Sequence, residues 1–232
     1  MGSITRSLSN NITTGGVILP AGITNSSVSA VTSFANASGG TLILLSTQTA
    51  SASATISFTT GLDSTYDEYQ FHFINIHPAT DGANFQFNLS TDSGSNYNVT
   101  KTTTFFRTFH LEDDSVTGLN YSTDDDLAQS TGFQNIRPDA DNDNDSNFGG
   151  TLQLYNPSST TYVKHFIADM QGVANGGNSS RVFIAGYGNT TSAINAIRFQ
   201  FSSGNIDDGV IKLYGVKKSW CRLINIFAML MV

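Results

Sequence analysis

Short segments in which apolar and polar residues alternate recur along this chain from Thr41 to Val216. In the segment NFQFNLS, we expect Phe85, Phe87 and Leu89 on the buried face of a strand. The polar residues between them, including Asn88, are expected on the solvent face. Clusters of Gly, Asn, Asp and Ser, which favour tight turns, separate these segments. Because no intervening stretch has a sustained apolar period of 3.6 residues, the pattern predicts β-structure throughout.

The spacing of the strands and turns predicts an all-β protein, specifically an antiparallel β-sandwich of jelly-roll type. The sequence divides into an extended N-terminal attachment arm at residues 1–40, a β-sandwich domain at 41–217 and an apolar C-terminal tail at 218–232. Within the sandwich, residues 112–131 and 137–150 are acidic and rich in turn-forming residues, so we expect two long loops there.

The composition limits the classes of partner. Charged residues make up 12% of the chain and the formal net charge is -7. A phosphate backbone requires clustered Lys and Arg, so nucleic acid is excluded as a partner. The single cysteine, Cys221, cannot form an internal disulfide. A surface rich in Ser, Thr and Asn favours a long-lived assembled particle over a cytosolic enzyme.

The two ends carry apolar residues with no local partner, and we expect both ends to contact neighbouring subunits. A polar arm of this kind cannot bury enough apolar surface to order itself. The tail after Lys218 is shorter than the roughly 20 residues that a membrane-spanning helix needs, so we expect no membrane span. The predicted contact residues are Val17, Ile18, Leu19, Trp220, Leu223, Ile224, Phe227 and Leu230.

One acidic segment has the alternation of a metal-binding loop. Asp139, Asp141, Asp143 and Asp145 could point together toward Ca²⁺. The EF-hand motif fails, because its glycine and glutamate positions hold other residues. A calcium site at residues 137–148 therefore stays open beside the favoured interpretation, a solvated acidic loop. We assign no metal ligand and expect no cofactor.

The four histidines do not form a recognisable site. His72 and His77 are five residues apart, which would place them on opposite faces of a continuous strand. We expect His72 and His165 to be hydrogen-bonded residues on a strand face. A Ser-His-Asp triad stays open because Ser and Asp are abundant, but no Gly-x-Ser-x-Gly motif marks a nucleophile.

Carboxylates and aromatic rings leave sugar chemistry open as an alternative. The pair Glu112 and Asp113 and the run 124–126 could flank a glycosidic bond, but they lie in polar segments where nothing would raise a pKa. Rings in or near predicted loops could stack on sugars, although chance placement explains them equally well. These rings are Tyr66, Tyr97, Tyr121 and Tyr187.

Several longer phrases resemble a family of virion structural proteins of tailed marine bacteriophages. They are SITRSLSNNITTGGV at the start, STYDEYQFHFINIHPATDGANFQFNLSTDSGSNYN, LYNPSSTTYVKHFIADMQG and AGYGNTTSAINAIRFQFSSGNIDDGVIKLYGVK. The resemblance covers residues 1–217, and its most specific parts are the turn at 203–206 and the strand at 211–215. Family members tend to end just after that strand, so the tail is a departure from the family.

The resemblance implies a non-enzymatic, β-rich component of the virion and carries over no catalytic residue. It favours a tail fibre or appendage subunit that acts in assembly and surface presentation or host contact. A capsid decoration (cement) protein and a carbohydrate-binding module on the virion surface are alternatives, and a glycoside hydrolase is least favoured. By analogy with phage appendages we expect a homotrimer, with other virion proteins and host surface polysaccharide as further partners.

Overall fold

A computed structural model of the protein describes residues 41–217. The predicted attachment arm at 1–40 and the tail from 218 onward lie outside the described residues. The same holds for the predicted contact residues Val17, Ile18, Leu19, Trp220, Leu223, Ile224, Phe227 and Leu230.

Within residues 41–217 the chain is all-β and antiparallel, with no helix, which confirms the all-β, antiparallel part of the predicted fold class. The twelve strands are β1 (Leu42–Ser53), β2 (Ile56–Phe58), β3 (Glu68–Pro78), β4 (Ala83–Ser90), β5 (Lys101–Leu111), β6 (Thr117–Tyr121), β7 (Gln134–Ala140), β8 (Phe148–Tyr155), β9 (Lys164–Ala174), β10 (Asn178–Gly188), β11 (Ala196–Phe201) and β12 (Ile206–Val216).

The strands form one sheet that is nearly closed into a barrel. Its main path runs β1-β12-β3-β8-β9-β7-β4-β11-β2. The two ends of this path approach each other where the Gln48 side-chain amide donates to the Ser57 carbonyl oxygen at 2.7 Å. A second branch leaves β9 through β10 to β5 and ends at β6. The inward side chains of this branch, Phe105, Val182 and Ile184, belong to the same core.

Two of these strands lie in segments predicted to be loops. β6 falls within residues 112–131, and β7 includes Pro138 at the start of the second acidic segment. The side chains of β6 are mostly exposed, so its sequence has no buried face that would produce an alternation signal. β7 was missed because its burial includes Arg137, which is not an apolar residue. The loop prediction was therefore wrong at residues 117–121, 137–140 and 148–150, whereas 112–116, 122–131 and 141–147 lie outside the strands as predicted.

Aromatic side chains from facing strands fill the interior. In β4, Phe85, Phe87 and Leu89 are fully buried, as the alternation predicts. Each large apolar side chain contributes roughly 1.5 to 3 kcal/mol when buried. Phe199 is at the centre of the cluster. Its ring centroid lies 5.1 to 6.4 Å from those of Phe58, Phe71, Phe73, Phe85 and Phe87.

Asn88 departs from the predicted pattern, because it is fully buried instead of facing solvent. Its side-chain amide donates to the carbonyl oxygens of Tyr97 and Thr131 at 2.7 and 2.9 Å. The segment after β4 therefore covers this position, and the buried amide is satisfied by backbone acceptors.

A bulge in β3 changes the face on which one histidine lies. The pairing of β3 with β8 shifts between Phe73 and Ile76, and Asn75 has a φ of 50° there. Both Phe73 and Ile76 are buried, so the strand gains one residue between two inward positions. His72 and His77 consequently lie on the same, outward face. The prediction of opposite faces was wrong because it assumed a continuous strand.

Gly209 in β12 lies against this bulge. Its φ is 127°, and a Cβ atom there would lie 2.7 Å from Ile76 Cδ1 and 2.8 Å from the Asn75 carbonyl oxygen. Only glycine allows the two backbones to approach so closely in this conformation.

Candidate functional site

The outward face of the β6-β5-β10-β9 branch carries an exposed cluster of apolar and aromatic side chains, here called the aromatic patch. It consists of Phe106, Leu119, Tyr121, Ile167 and Phe183. Leu119 is 70% exposed, Tyr121 50%, Ile167 48% and Phe106 41%. Phe106 pairs with Tyr121 on one side and with Phe183 on the other, so the rings form a row across three strands. The strand alternation that buries Phe105 places its neighbour Phe106 in solvent.

An arginine borders the aromatic patch. The Arg181 guanidinium carbon lies 4.6 Å from the centre of the Phe183 ring. The same guanidinium donates to both carboxylate oxygens of Asp169, at 2.9 and 2.6 Å, and these hydrogen bonds raise the pKa of Arg181. Aromatic residues with a bordering arginine are the composition that protein interfaces favour.

Within the described residues, β6 pairs with β5 alone. Its other side is a free edge, and an edge strand with unpaired backbone groups can accept a strand from another chain. Natural proteins commonly protect such edges with charged residues. In β6 the exposed positions instead include Leu119 and Tyr121, so this edge combines free backbone groups with apolar side chains.

A shallow groove of about 380 Å³ adjoins the aromatic patch. Tyr155, His165 and Tyr187 are among the residues that line it, and the rings of His165 and Tyr187 lie 6.0 Å apart. Gly186 forms part of its floor. A Cβ atom at that position would lie 2.6 Å from Thr103 Cγ2 and 3.0 Å from Phe166 Cζ, both of buried residues, so the glycine allows β10 to pack closely on its neighbours beneath the groove.

The four tyrosines considered as sugar-stacking residues have different surroundings. Tyr187 lines the groove, and Tyr121 belongs to the aromatic patch with its hydroxyl donating to Asp126. Tyr66 packs edge-on against Tyr69 beside the core. Tyr97 lies under the Arg198 guanidinium at 4.1 Å. The structure therefore brings only Tyr121 and Tyr187 to the outward face of this branch.

The acidic residues considered for Ca²⁺ do not converge. Asp139 accepts a hydrogen bond from Arg107 at 3.4 Å. Asp141 accepts from the hydroxyl of Ser146 and from the backbone N–H of Asp143, both at 3.0 Å. In residues 41–217 no group of three or more His, Cys, Asp or Glu side chains is arranged to hold a metal ion.

The histidines have separate partners. His72 lies 3.3 Å from the side-chain oxygen of Gln70, and His110 lies 2.9 Å from Asp114 on the surface. His77 contacts the backbone oxygen of Asp143 at 3.2 Å, and His165 faces Tyr187 across the groove. Among the described residues no histidine is hydrogen-bonded to a serine hydroxyl.

Carboxylates considered for glycosidase chemistry lie in polar surroundings. Asp125 accepts hydrogen bonds from Ser122 and Asn135. Hydrogen bonds from Ser115 lower the pKa of Asp113. A glycosidase acid requires the opposite shift, a pKa raised by an apolar setting.

Buried cations were not singled out from the sequence. Lys101 and Lys164 both lie opposite Gly188, in the two ladders on either side of β10, and both are fully buried. Lys101 Nζ donates to Asn88 Oδ1 at 2.5 Å and to the Val99 carbonyl at 2.9 Å. Burial lowers the pKa of Lys101 to about 7. Because the ammonium is enclosed and makes two hydrogen bonds to the surrounding protein, its role is structural. The sequence does contain a signal for this burial, because Lys101 lies at an alternate position of its strand that shares a face with the buried Phe105.

No family model, curated protein or solved structure matches this chain. Within the part of the chain that the structure describes, no helix has the length and apolar character required to cross a bilayer.

Proposed function

We propose that this protein is a non-enzymatic structural protein of a tailed bacteriophage virion that acts through contacts with neighbouring subunits. The observation that carries the proposal is the aromatic patch beside the free edge of β6. Exposed apolar clusters of this kind mark interaction surfaces on soluble proteins. The sequence resembles phage virion proteins, and this is the reason for placing the contacts in a virion.

Within the virion, the favoured position is a tail fibre or appendage, in which the extended arm at residues 1–40 attaches the β-domain and the domain is presented to the host. The alternative position is capsid decoration. Both positions require a stable β-domain, and neither requires catalysis. The closed aromatic core around Phe199 provides that stability.

The finer fold proposed for the domain is a β-sandwich of jelly-roll type. In this arrangement β7, β4, β11 and β2 form one layer and the remaining strands form the other. Two observations support it. β7 and β9 share only the pair Ala140 and Ala174, so the sheet is weakly joined at that corner. Phe71 and Phe73 of β3 contact Phe199 of β11, which is remote from β3 in the strand order.

The proposed assembly is a homotrimer. In a closed threefold ring, one surface of each subunit contacts a different surface of its neighbour. The aromatic patch and β6 edge supply one of these surfaces, and the tail at 218–232 adds apolar residues to the contact.

The test is to locate the chain on an intact particle. Purified virions of the phage whose genome carries this sequence are labelled with gold-conjugated antibodies raised against the chain and imaged by electron microscopy, with preimmune serum as the control. Gold at the tail supports the fibre or appendage, and gold over the head supports decoration instead. If gold is absent and mass spectrometry of the virion finds no peptide of this chain, the virion role is wrong.

A second candidate function is carbohydrate binding on the virion surface, and the groove favours it. Tyr155 and Tyr187 present rings beside the hydroxyl of Thr102, a combination that suits sugar rings and their hydroxyls. A glycan array separates the two functions. Binding that is lost in Tyr187→Ala supports the carbohydrate function, and no binding to any glycan removes it.

A further inference from the structure

A smaller and more enclosed cavity lies on the opposite, inward face of the β5-β10 pair, near the end of β7. Its volume is about 200 Å³. At about 30 Å³ for each water molecule, this is space for roughly seven waters. The lining residues are Arg107, Phe109, Leu111, Asp139, Ala174, Asn175, Asn178 and Ser180.

Several polar atoms at this cavity are buried without a protein partner. Ser180 lines the cavity and is only 1% exposed, and its hydroxyl has no hydrogen-bond partner. The Nε atom of Arg107, which also lines the cavity, is unpartnered as well. A buried polar group without a partner costs about 1 to 3 kcal/mol, so native proteins rarely retain several together without a reason.

Arg137 adds two more unpartnered donors close by. This residue is fully buried, and its Nε and Nη2 atoms have no partner. Only Nη1 is bonded, by a long contact of 3.3 Å to the Pro138 carbonyl oxygen. Arg107 is near enough that its positive charge, after burial, is a cause of the lowered pKa of Arg137, about 10. With this pKa the Arg137 guanidinium is charged at neutral pH.

The charges at this site do not balance. Asp139 is the carboxylate that faces the pair, at 3.4 Å from Arg107 Nη1. Asp81 accepts a hydrogen bond from the Asn175 amide, and Glu112 lies near Gly177, beside the lining residue Asn178. Two guanidinium groups therefore share one close carboxylate, and that carboxylate is 56% exposed. Water would satisfy the free N–H groups but would not supply the missing negative charge.

We propose that this cavity binds a small hydroxylated molecule that carries one carboxylate, of the uronic acid class. The carboxylate accepts from the free N–H of Arg107, the guanidinium that lines the cavity, and the nearby positive charge of Arg137 favours it. The Ser180 hydroxyl and the amides of Asn175 and Asn178 bond to sugar hydroxyls, while Phe109 offers an apolar surface to the ring. The volume limits the ligand to about one sugar ring. This inference does not rest on the virion role, which stands or fails separately.

The test is isothermal titration calorimetry of the full-length protein with three probes, namely glucuronate, glucose and inorganic phosphate. We expect glucuronate to bind at least tenfold more tightly than glucose or phosphate. Equal affinity for glucose would show that the positive charge is not used, and equal affinity for phosphate would remove the sugar from the proposal. Either result, or no binding by glucuronate, overturns it.

Two variants assign the binding to this cavity. Ser180→Ala removes an unpartnered hydroxyl, so it should not lower the melting temperature, but it should weaken glucuronate binding about tenfold. Arg107→Gln should weaken it about ten- to hundredfold through loss of a charged hydrogen bond. The matched control is Ser179→Ala, one residue away on the outward face, which should bind like the wild type. If Ser180→Ala binds like Ser179→Ala, the site is not this cavity.

Discussion

Phe106 and Phe183 stack on the solvent side of the sheet, with ring centroids 5.0 Å apart and an interplanar angle of 16°. Most aromatic pairs of the core meet edge to face instead, as Phe87 and Phe166 do at 88°. The outward stack joins β5 to β10 and leaves Phe106 41% exposed. A second chain could therefore add its own side chains to an aromatic row that is already ordered.

Placing a charge on this surface should prevent self-association. The wild-type protein is expected to sediment at three times the chain mass of 24.8 kDa. Leu119→Lys should sediment as a single chain with an unchanged far-ultraviolet dichroism spectrum, because a lysine on an edge strand opposes pairing. Tyr162→Ser is the control, since Tyr162 is 71% exposed, matching Leu119, but lies outside the aromatic patch. A wild-type monomer at micromolar concentration would contradict the trimer.

Truncation of the central core ring should cost much of the stability. Phe199→Ala removes a ring that contacts five others, and we expect the free energy of unfolding to fall by about 3 to 5 kcal/mol. Urea denaturation measures the change. Leu119→Ala, at an exposed position, should stay within about 0.5 kcal/mol of the wild type. Similar losses in the two variants would mean that the core is not centred on Phe199.

The buried Lys101 should make stability depend on pH. Its pKa is about 7 in the folded protein, below the ordinary value of 10.5. Between these values the unfolded chain binds the extra proton, so the free energy of unfolding should rise with pH, by at most ~1.4 kcal/mol per unit. Below pH 7 this contribution is constant. Above about pH 10 the raised pKa of Tyr69 acts in the opposite direction.

Urea denaturation between about pH 7 and 9 measures this rise, to which the lowered pKa of buried Lys164 contributes in the same direction. Lys101→Met should remove the part of the rise that Lys101 causes, whatever its effect on absolute stability. Lys212→Met, on the outward face of β12, should keep the rise. If Lys101→Met retains the full slope, another group is responsible for it.

The close approach at the β3 bulge should make Gly209 sensitive to a single methyl group. Gly209→Ala places Cβ within 2.8 Å of the neighbouring backbone at a φ of 127°, and we expect a loss of about 1 to 3 kcal/mol. Gly132→Ala is the control, because its Cβ would meet only the Ser130 hydroxyl at 3.3 Å. Thermal unfolding of both variants measures the difference. Equal melting temperatures would mean that the bulge relaxes freely.

Deletion of residues 1–40 should separate folding from assembly. The buried core comprises residues between Ala50 and Leu213, so the shortened chain should keep a β-type dichroism spectrum and a cooperative unfolding transition. It should no longer join the virion, because the proposed attachment lies in the arm. Normal copy number of the deleted form in purified virions would assign attachment to the domain instead.

The sequence predicted much of the fold because burial on one face of a strand leaves a period-two record. Phe85, Phe87 and Leu89 could be assigned to the core without coordinates, since only an inward row explains three large apolar residues at alternate positions. This alternation of apolar and polar residues is weak where a strand has no apolar inward face. For that reason the sequence predicts loop for β6 and for part of β7, whose burial includes Arg137.

The alternation within one strand determined the all-β class and the inward residues, because it depends only on which neighbours along the chain share a face. The aromatic patch depends on register between strands, which brings Phe106 beside Phe183 from a segment remote in sequence. The cavity at Ser180 likewise requires β5, β10 and the end of β7 to meet, and the bulge at Asn75 decided the face of His77. Only the tertiary structure decided these features, because pairing between distant strands leaves no period in the sequence of either one.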